Sequence, residues 1–241
     1  MPSKTMKTEN RIKYRIIGKK KETPNVFTLS LSCYEEKSLP SFTPGQFITI
    51  YFPESEIVEG KAYSISNTPY DDAINITIKE MGDFSKQILE LNVGDIIYAS
   101  LPYGYFFSER DESTLIFLAS GIGITPIKSM IISYLKKNSE REIYLFYGCK
   151  TLESIVFKRE LDELTLKFLN FRVHYFLSKE EDTPKDMKRG RIDLDWMLEE
   201  IESVEHPEFL ICGSISFVRD MWKGLRNSGI SPENIYTESF F

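Results

Sequence analysis

The sequence predicts a two-domain protein, with an N-terminal antiparallel Greek-key β-barrel over residues 1–105 and a C-terminal doubly wound α/β domain with a parallel sheet over residues 106–241. Two observations carry this prediction. Up to about residue 102 the apolar segments are short and separated by turn residues, as in closed antiparallel barrels. After Gly104 strand-like and helix-like segments alternate, which is typical of a parallel sheet with helices on both faces.

Six strands and one helix account for the first domain. Apolar and polar residues alternate over 27–31 and 75–79, and this period indicates strands with one buried face. Strands are predicted over 12–17, 26–32, 46–52, 63–66, 74–79 and 96–99. The helix is predicted to start at Asp83 or Phe84 and to end near Asn92 and Gly94.

The second domain is predicted from near-continuous apolar strands such as LIFLA and IYLFY, because a parallel sheet is covered on both faces. Helices are marked by apolar residues on one helical stripe, for example Phe157, Leu161 and Leu164. The predicted strands are 115–119, 143–147, 172–177, 209–211 and one near 235–236, and the predicted helices are 127–137, 154–168, 194–201 and 217–227. The stretch 179–190 is predicted to be an exposed loop.

Composition excludes several classes of function. The 241 residues carry a formal net charge of −6 with a pI near 5.2, so nucleic acid is not an expected partner. Three dispersed cysteines and two histidines predict no metal site. No apolar segment approaches the roughly 20 residues of a membrane span, and the polar N-terminus lacks the apolar core of a signal peptide. We expect a cytoplasmic protein.

The turn after residue 119 is the strongest local motif. Gly121 and Gly123 follow a strand and precede a helix, so they would let the backbone approach a pyrophosphate at a helix N-terminus. The third glycine of the common dinucleotide fingerprint is replaced by Pro126, which suits a first helical turn, and Thr125 is predicted to be the N-cap. The alternative is a glycine turn that only joins a strand to a helix.

An ordered series of short motifs runs along the chain, namely GQF, KAYSISN, GDFS, PYGYF, GIGITP, YGC, CGS and ESF. On these motifs the chain resembles the ferredoxin–NADP reductase superfamily of two-domain flavin reductases, from about residue 12 to residue 241. The resemblance implies a bound FAD, with FMN as the alternative, and NADPH or NADH as co-substrate.

The resemblance assigns the flavin to the barrel. Lys61-Ala62-Tyr63-Ser64 stands where the family has Arg-x-Tyr-Ser. This match implies that Tyr63 lies along the flavin ring, that Ser64 hydrogen-bonds near flavin N5, and that Lys61 takes the phosphate without the fork of a guanidinium group.

A second phosphate contact is implied at Gly82-Asp83-Phe84-Ser85, which matches the family's Gly-x-x-Ser. The donors would be the amides of Phe84 and Ser85 at the helix N-terminus. Asp83 must then point to solvent, because a carboxylate would repel phosphate. Ile78, just ahead on the preceding strand, is a further expected cofactor contact.

The nicotinamide dinucleotide is assigned to the second domain in the same way. Gly121-x-Gly123-x-Thr125-Pro126 matches the family's turn, and Cys212-Gly213 matches its Cys-Gly pair, which places the thiol near the nicotinamide C4. Ser178-Lys179 stands where members that prefer NADPH have Ser-Arg. Other cations expected to meet a 2′-phosphate are Lys150, Lys188 and Arg191.

The last residues complete the implied site. The family ends in Glu-x-aromatic, the aromatic ring covering the flavin, and Glu238 and Phe240 fit this register with Phe241 as an added residue. The implied catalytic residues are therefore Ser64, Cys212 and Glu238.

The function implied by the resemblance is hydride transfer from NAD(P)H to bound flavin, followed by electron transfer to a separate acceptor. The expected acceptor is a ferredoxin, a flavodoxin or an oxygenase component on another chain, because no run of four cysteines is present here. Alternatives are a flavin-carrying electron-transfer subunit of a larger complex, a free-flavin reductase, and a chain that only binds a partner.

Overall fold

The computed structural model describes residues 11–35, 38–52, 60–110, 113–137 and 140–240, and it confirms the predicted two-domain architecture. The first domain holds one six-stranded antiparallel sheet and the second holds one six-stranded parallel sheet. The elements of the first domain are β1 (Ile12–Thr23), β2 (Val26–Cys33), β3 (Phe47–Tyr51), β4 (Lys61–Ser64), β5 (Ile74–Lys79), α1 (Asp83–Glu90) and β6 (Ile96–Ala99).

The first sheet has the strand order β4-β3-β6-β1-β2-β5. A bridge between Ile65 and Ile76 joins the chain just after β4 to β5, and this contact closes the sheet into a barrel. The pairings β3–β6 and β2–β5 join strands that are not consecutive, as in a Greek key. The barrel core is largely aliphatic and is closed at one end by Phe84 and Ile88 of α1.

The second sheet has the order β10-β9-β8-β7-β11-β12 with every pairing parallel. Its strands are β7 (Thr114–Ser120), β8 (Ile143–Cys149), β9 (Phe171–Leu177), β10 (Lys188–Arg189), β11 (Pro207–Ser214) and β12 (Ile235–Phe240). Its helices are α2 (Ile124–Lys137), α3 (Lys158–Lys167), α4 (Leu194–Glu200) and α5 (Ile215–Asn227).

The position of β7 in the middle of the sheet explains why its sequence is apolar from Leu115 to Ala119. Leu115 and Phe117 belong to the core shared with α2 and α3, whereas Ile116 and Leu118 belong to the core shared with α4 and α5. Successive side chains of a strand point to opposite faces, so a strand covered on both faces has no position for a polar residue.

Several predicted boundaries are wrong. Strand β1 continues through the lysine cluster to Thr23, because the β1–β2 hairpin pairs as far as Thr23 with Val26. Helix α3 does not start at residue 154, because Phe157 has a left-handed φ of 62° and right-handed helical conformation begins only at Lys158. Strand β10 lies inside the stretch predicted to be an exposed loop.

An ion-pair cluster joins the two domains. Glu160 on α3 pairs with Lys128 on α2 at 2.5 Å and with Lys20 on the barrel hairpin at 3.2 Å. The Lys128 ammonium also lies 4.0 Å from the Phe157 ring centroid. Next to it, the buried Ser129 hydroxyl donates to the main-chain oxygen of Asn67 in the barrel at 2.5 Å. These contacts fix the barrel hairpin against the helices of the second domain.

We expect Glu160→Gln to lower the free energy of unfolding by about 1–2 kcal/mol, because it leaves the buried Lys128 without its anion. Burial alone would raise the pKa of Glu160, but Lys128 and Lys20 lower it below the ordinary value. The difference from wild type should therefore be present at neutral pH and disappear as the pH falls and Glu160 is protonated.

Urea denaturation at several pH values measures this difference. The matched control is Glu163→Gln on the same helix, whose partner Arg159 is exposed, and it should show no measurable change. Equal effects of the two substitutions, or an effect of Glu160→Gln that persists at acid pH, would contradict the assigned role.

Candidate functional site

The turn after β7 contains two glycines, Gly121 and Gly123, where the common dinucleotide fingerprint has three. Residues Gly121–Gly123 form a 3-10 turn that leads directly into α2, and Gly121 has a φ of +55°. A Cβ added at Gly123 would overlap the carbonyl oxygen of Cys212. It would also lie 2.5 Å from the carbonyl carbon of Cys212 and 2.8 Å from the Cα atom of Gly213. The close packing that glycine permits here is therefore between the turn and β11, which lies beside β7.

The predicted N-cap at Thr125 is wrong. Helix α2 already begins at Ile124, and the Thr125 hydroxyl donates to the main-chain oxygen of Ile122 at 3.0 Å instead of accepting from an amide. The 3-10 turn supplies the start of the helix, so no side-chain cap is needed. Pro126 lies in the first turn of α2, where an amide has no partner within the helix.

A cleft of about 520 Å³ opens in front of this turn, between the two domains. From the sheet domain it is lined by the carboxyl ends of β7, β8 and β11, and from the barrel by residues at the ends of β2 and β5. The order β8-β7-β11 places the cleft where the chain connections diverge to the two sides of β7. In open α/β sheets this is the position at which ligands bind.

Cations line the cleft where an anionic dinucleotide would enter. Lys79 comes from the barrel, whereas Lys150 and Arg191 come from the sheet domain, and Ser178 joins them. The exposed Lys179 is held beside Lys150, since its amide donates to the Lys150 oxygen at 2.8 Å.

The cleft also departs from the sequence prediction. Lys188 was expected among its cations, but its ammonium lies 4.2 Å from the Trp196 ring centroid. Lys79 was not predicted to line the cleft. The sequence feature that could have indicated it is a lysine at the end of a barrel strand, shortly before Gly82.

The motif Lys61-Ala62-Tyr63-Ser64 forms the whole of β4, at the edge of the barrel sheet. Lys61 and Ala62 are exposed, Tyr63 is half-buried and Ser64 is buried. Burial raises the pKa of Tyr63 to about 12, so its phenol stays neutral at physiological pH. An exposed cation, a neutral ring and a hydroxyl therefore follow one another along this edge.

The two predicted phosphate contacts come together. The Lys61 ammonium lies 5.8 Å from the ring centroid of Phe84, in the first turn of α1. Gly82, at the N-cap of α1, has a φ of +97° with open space around its missing Cβ, and no side chain caps this helix end within the described residues. Asp83 is exposed, as a phosphate site requires.

Two further predicted residues are less available to a ligand. The Ser85 hydroxyl donates to Gly82 O at 2.8 Å and accepts from Met81 N at 2.7 Å, so it fixes the turn while the helix amides stay open. The Ile78 side chain is fully buried in the barrel core. The main chain of Ile78 is equally inaccessible, so the residue offers no exposed surface to a cofactor.

Strand register brings Cys212 and Glu238 together, because they are direct partners in the β11–β12 pairing. Cys212 is fully buried, and burial together with the nearby Glu238 raises the pKa of its thiol well above the ordinary value. Burial also raises the pKa of the half-buried Glu238, although the Ser239 amide partly opposes this shift. The pair thus holds a neutral thiol beside a carboxyl group that retains its proton more readily than usual.

The end of the chain reaches the same cleft. Phe240, the last residue of β12, lines the interdomain cleft together with Gly121 and Gly213. Phe241 lies outside the described residues.

A second groove, of about 690 Å³, connects the two predicted halves of the site. It is lined by Phe47, whose register partner on β4 is Ser64, and by Glu238, whose register partner on β11 is Cys212. We call it the aromatic groove; its other walls are Gln46, residues 102–106, Tyr236 and Thr237. Ser64 of the flavin motif and the Cys212 thiol therefore each lie one strand away from a residue that lines this groove.

These features fit FAD and a nicotinamide dinucleotide. A helix N-terminus without a side-chain cap, beside the exposed Lys61, suits a phosphate. The turn at Gly121 with Lys79 and Arg191 suits a pyrophosphate or 2′-phosphate. Within the described residues there is no group of three or more His, Cys, Asp and Glu side chains that could hold a metal ion. The described helices include none long and apolar enough to cross a membrane.

Comparison with known proteins agrees with this division. Residues 14–117 match a family of FAD-binding domains, and residues 117–223 match a family of oxidoreductase NAD-binding domains. The flavohemoprotein of Bacillus subtilis is 31% identical over 232 residues, which are 93% of this chain and 58% of that protein. The sulfhydrogenase 2 subunit gamma of Pyrococcus furiosus is 31% identical over 238 residues, 92% of this chain and 81% of that protein.

Solved structures share the fold. The FAD/NAD-binding domain of a nitric oxide dioxygenase from Vibrio cholerae superposes with a TM-score of 0.86 at 23% identity, covering 96% of this chain and 99% of that one. A ferredoxin NADP⁺ reductase from Neisseria gonorrhoeae has a TM-score of 0.80 at 22% identity, with the same coverage of 96% and 99%.

Proposed function

Since the chain belongs to the ferredoxin–NADP reductase family of two-domain FAD- and NAD-binding oxidoreductases, we propose that it transfers hydride from NADH or NADPH to FAD and passes the electrons to a separate acceptor. The observation that carries the proposal is the shared cleft, in which Lys79 and Met81 of the barrel face Gly121, Gly213 and Phe240 of the sheet domain. A donor bound on the sheet domain and an acceptor bound on the barrel would meet there.

The barrel would hold FAD at β4 and α1. Lys61 and the first amides of α1 bind its phosphates, and Tyr63 packs along its ring as a neutral aromatic. Ser64 supplies a hydroxyl close to the ring. Bound FAD supplies the conversion of a two-electron donor into one-electron transfers.

The sheet domain would bind and orient the nicotinamide dinucleotide. The turn at Gly121 and Gly123 admits the pyrophosphate, with Lys79, Lys150 and Arg191 as its cations. The neutral Cys212 thiol offers an uncharged, polarisable neighbour for the nicotinamide ring. Phe240 covers the cleft, excludes water and is displaced when the nicotinamide ring enters.

Anaerobic titration of the FAD-loaded chain with NADH, and separately with NADPH, tests the proposal. We expect one equivalent of nicotinamide to bleach the flavin absorbance, because hydride transfer moves two electrons. A chain that cannot be reconstituted with FAD or FMN, or a loaded chain that neither nicotinamide bleaches, would contradict it.

Two candidate functions differ in the electron acceptor that the chain would serve. As an independent reductase the chain would serve a ferredoxin, a flavodoxin or an oxygenase component. As a flavin-carrying subunit it would work inside a complex, and this is favoured by the relative of which the chain covers 81%, which is named as a subunit of a sulfhydrogenase. The chain spans only 58% of the flavohemoprotein. NAD(P)H-dependent reduction of ferricyanide by the isolated chain would favour the independent reductase.

A further inference from the structure

The motif Tyr147-Gly148-Cys149 ends β8 beside the turn at Gly121. Tyr147 is the register partner of Ala119, near the end of β7. Gly148 and Cys149 line the interdomain cleft, whereas Tyr147 is fully buried and does not line it. Any effect of Tyr147 on a bound dinucleotide must therefore pass through the turn.

The Tyr147 hydroxyl is bonded to this turn. It donates to the main-chain oxygen of Gly121 at 2.9 Å. The same oxygen accepts from the amide of Ile124 at the start of α2, so both of its lone pairs are used inside the protein. Burial raises the pKa of Tyr147 well above the ordinary value, and the hydroxyl therefore keeps the proton that it donates.

The direction of the Gly121 carbonyl fixes the direction of the next amide. In a trans peptide the C=O of one residue and the N–H of the following residue point opposite ways, so the Ile122 N–H points away from Tyr147. Gly121 and Ile122 both line the cleft, and an amide in the first turn of a helix has no partner within that helix. The Ile122 amide is thus placed to donate to an anion in the cleft.

The glycine itself does little to hold the peptide in this direction. Gly121 has a φ of +55° with open space around its missing Cβ, and glycine adopts several backbone conformations at similar cost. A reversed peptide would turn the partly negative Gly121 oxygen toward the pyrophosphate. The hydrogen bond from Tyr147, whose ring lies in the core shared with α2 and α3, opposes that reversal.

We propose that Tyr147 is a positioning residue for the dinucleotide, because its hydroxyl holds the Gly121 carbonyl inward and so directs the Ile122 amide at the pyrophosphate. The inference rests on the proposed function in placing the pyrophosphate at this turn. Tyr147 itself contacts neither the dinucleotide nor the flavin. Its loss should therefore lower the affinity for the dinucleotide more than the rate of the reaction once the dinucleotide is bound.

Isothermal titration calorimetry of the FAD-loaded oxidised chain with ADP-ribose, and separately with ADP-ribose 2′-phosphate, measures binding without turnover. Both probes carry the pyrophosphate and lack the nicotinamide ring. We expect the wild type to bind at least one of them. Tyr147→Phe should bind that probe about tenfold more weakly, because the ring still fills the core and only the hydroxyl is lost.

The matched control is Tyr175→Phe. Tyr175 is the register partner of Tyr147 on β9 and is also buried, but its hydroxyl donates to Asp162 on α3 at 2.8 Å. This substitution removes a buried tyrosine hydroxyl without releasing the turn, so its affinity for the probe should stay within about twofold of wild type. Weaker binding that came only from a less stable fold would appear in both variants.

Stopped-flow reduction of the flavin by NADH or NADPH separates affinity from rate. We expect Tyr147→Phe to raise the nicotinamide concentration for half-maximal reduction about tenfold and to change the limiting rate by less than about twofold. A fall confined to the limiting rate would overturn the inference. So would no binding of either probe by the wild type, wild-type affinity in Tyr147→Phe, or equal weakening by the two substitutions.

The same measurements separate this failure from failure of the proposed function. If NAD(P)H bleaches the flavin while Tyr147→Phe binds the probe like wild type, only the role of Tyr147 is wrong. If Tyr147→Phe weakens probe binding as expected but neither nicotinamide bleaches the flavin, the role of Tyr147 stands and the proposed function fails.

Discussion

Replacing Glu208 by alanine is expected to lower the free energy of unfolding by about 3–5 kcal/mol, because it removes a buried carboxylate that pairs with a buried arginine and accepts hydrogen bonds from three hydroxyl groups. Glu208, near the start of β11, is fully buried. Its carboxylate lies 3.6 Å from the buried Arg141 guanidinium and 3.5 Å from that of Arg110. It also accepts hydrogen bonds from Ser113, from Ser108 at 2.5 Å and from Tyr236 at 2.9 Å.

Two further variants separate charge from packing. Glu208→Gln keeps the shape and one acceptor oxygen, so we expect a loss smaller than that of Glu208→Ala. Glu142→Ala removes a glutamate whose side chain is 44% exposed and whose Arg172 partner is 3.4 Å away, and we expect little change. Urea denaturation measures all three. A loss below about 1 kcal/mol for Glu208→Ala would show that the buried arginine finds another partner.

The Glu208 cluster could not be predicted from the sequence. Its partners Ser108 and Ser113 lie 100 and 95 residues away along the chain, and a serine in a linker carries no signal of burial. The contacts arise because β7 and β11 start side by side, which brings the segment between the domains onto the end of the sheet. Only the fold shows that this segment is held in place by a buried carboxylate.

Local pattern predicted the elements where one period dominates. The alternation in β5 indicates a strand, and the apolar run of β7 is too short for a helix and is followed by a glycine turn. Both strands lie where expected. Helix starts were less readable. The prediction of a cap at Thr125 placed the start of the helix at Pro126, whereas the 3-10 turn at Gly121 continues directly into α2 at Ile124. The left-handed Phe157 gave no local signal in the sequence.

The site motifs were legible because chemistry fixes residue types at fixed spacings. Register then added what spacing could not: Cys212 and Glu238 stand 26 residues apart, yet they are direct partners across β11 and β12. Lys79 was missed because a lysine at the end of a strand is ordinary in sequence. That Lys79 lines the cleft is apparent only from the structure, in which β5 ends at the cleft.

Gly123→Ala is the second substitution with a large expected effect, and it acts on fold and site together. The added methyl group would meet main-chain atoms of Cys212 and Gly213, the nearest of which cannot rotate away. Overpacking of this kind costs about 1–3 kcal/mol. Because the displaced atoms belong to the turn and to the Cys212 strand, we also expect NAD(P)H binding to weaken about tenfold or more.

Gly18→Ala is the matched control. Neither glycine has a left-handed φ, but a Cβ at Gly18 would meet only the Ser30 side chain at 3.4 Å, an ordinary contact. Urea denaturation and nicotinamide titration of both variants compare the same added methyl group with and without space. If Gly123→Ala unfolds and binds like Gly18→Ala, the close packing of the turn on β11 is not what the second glycine provides. If it loses both stability and binding, this single glycine supplies the close approach for which the common fingerprint uses a third.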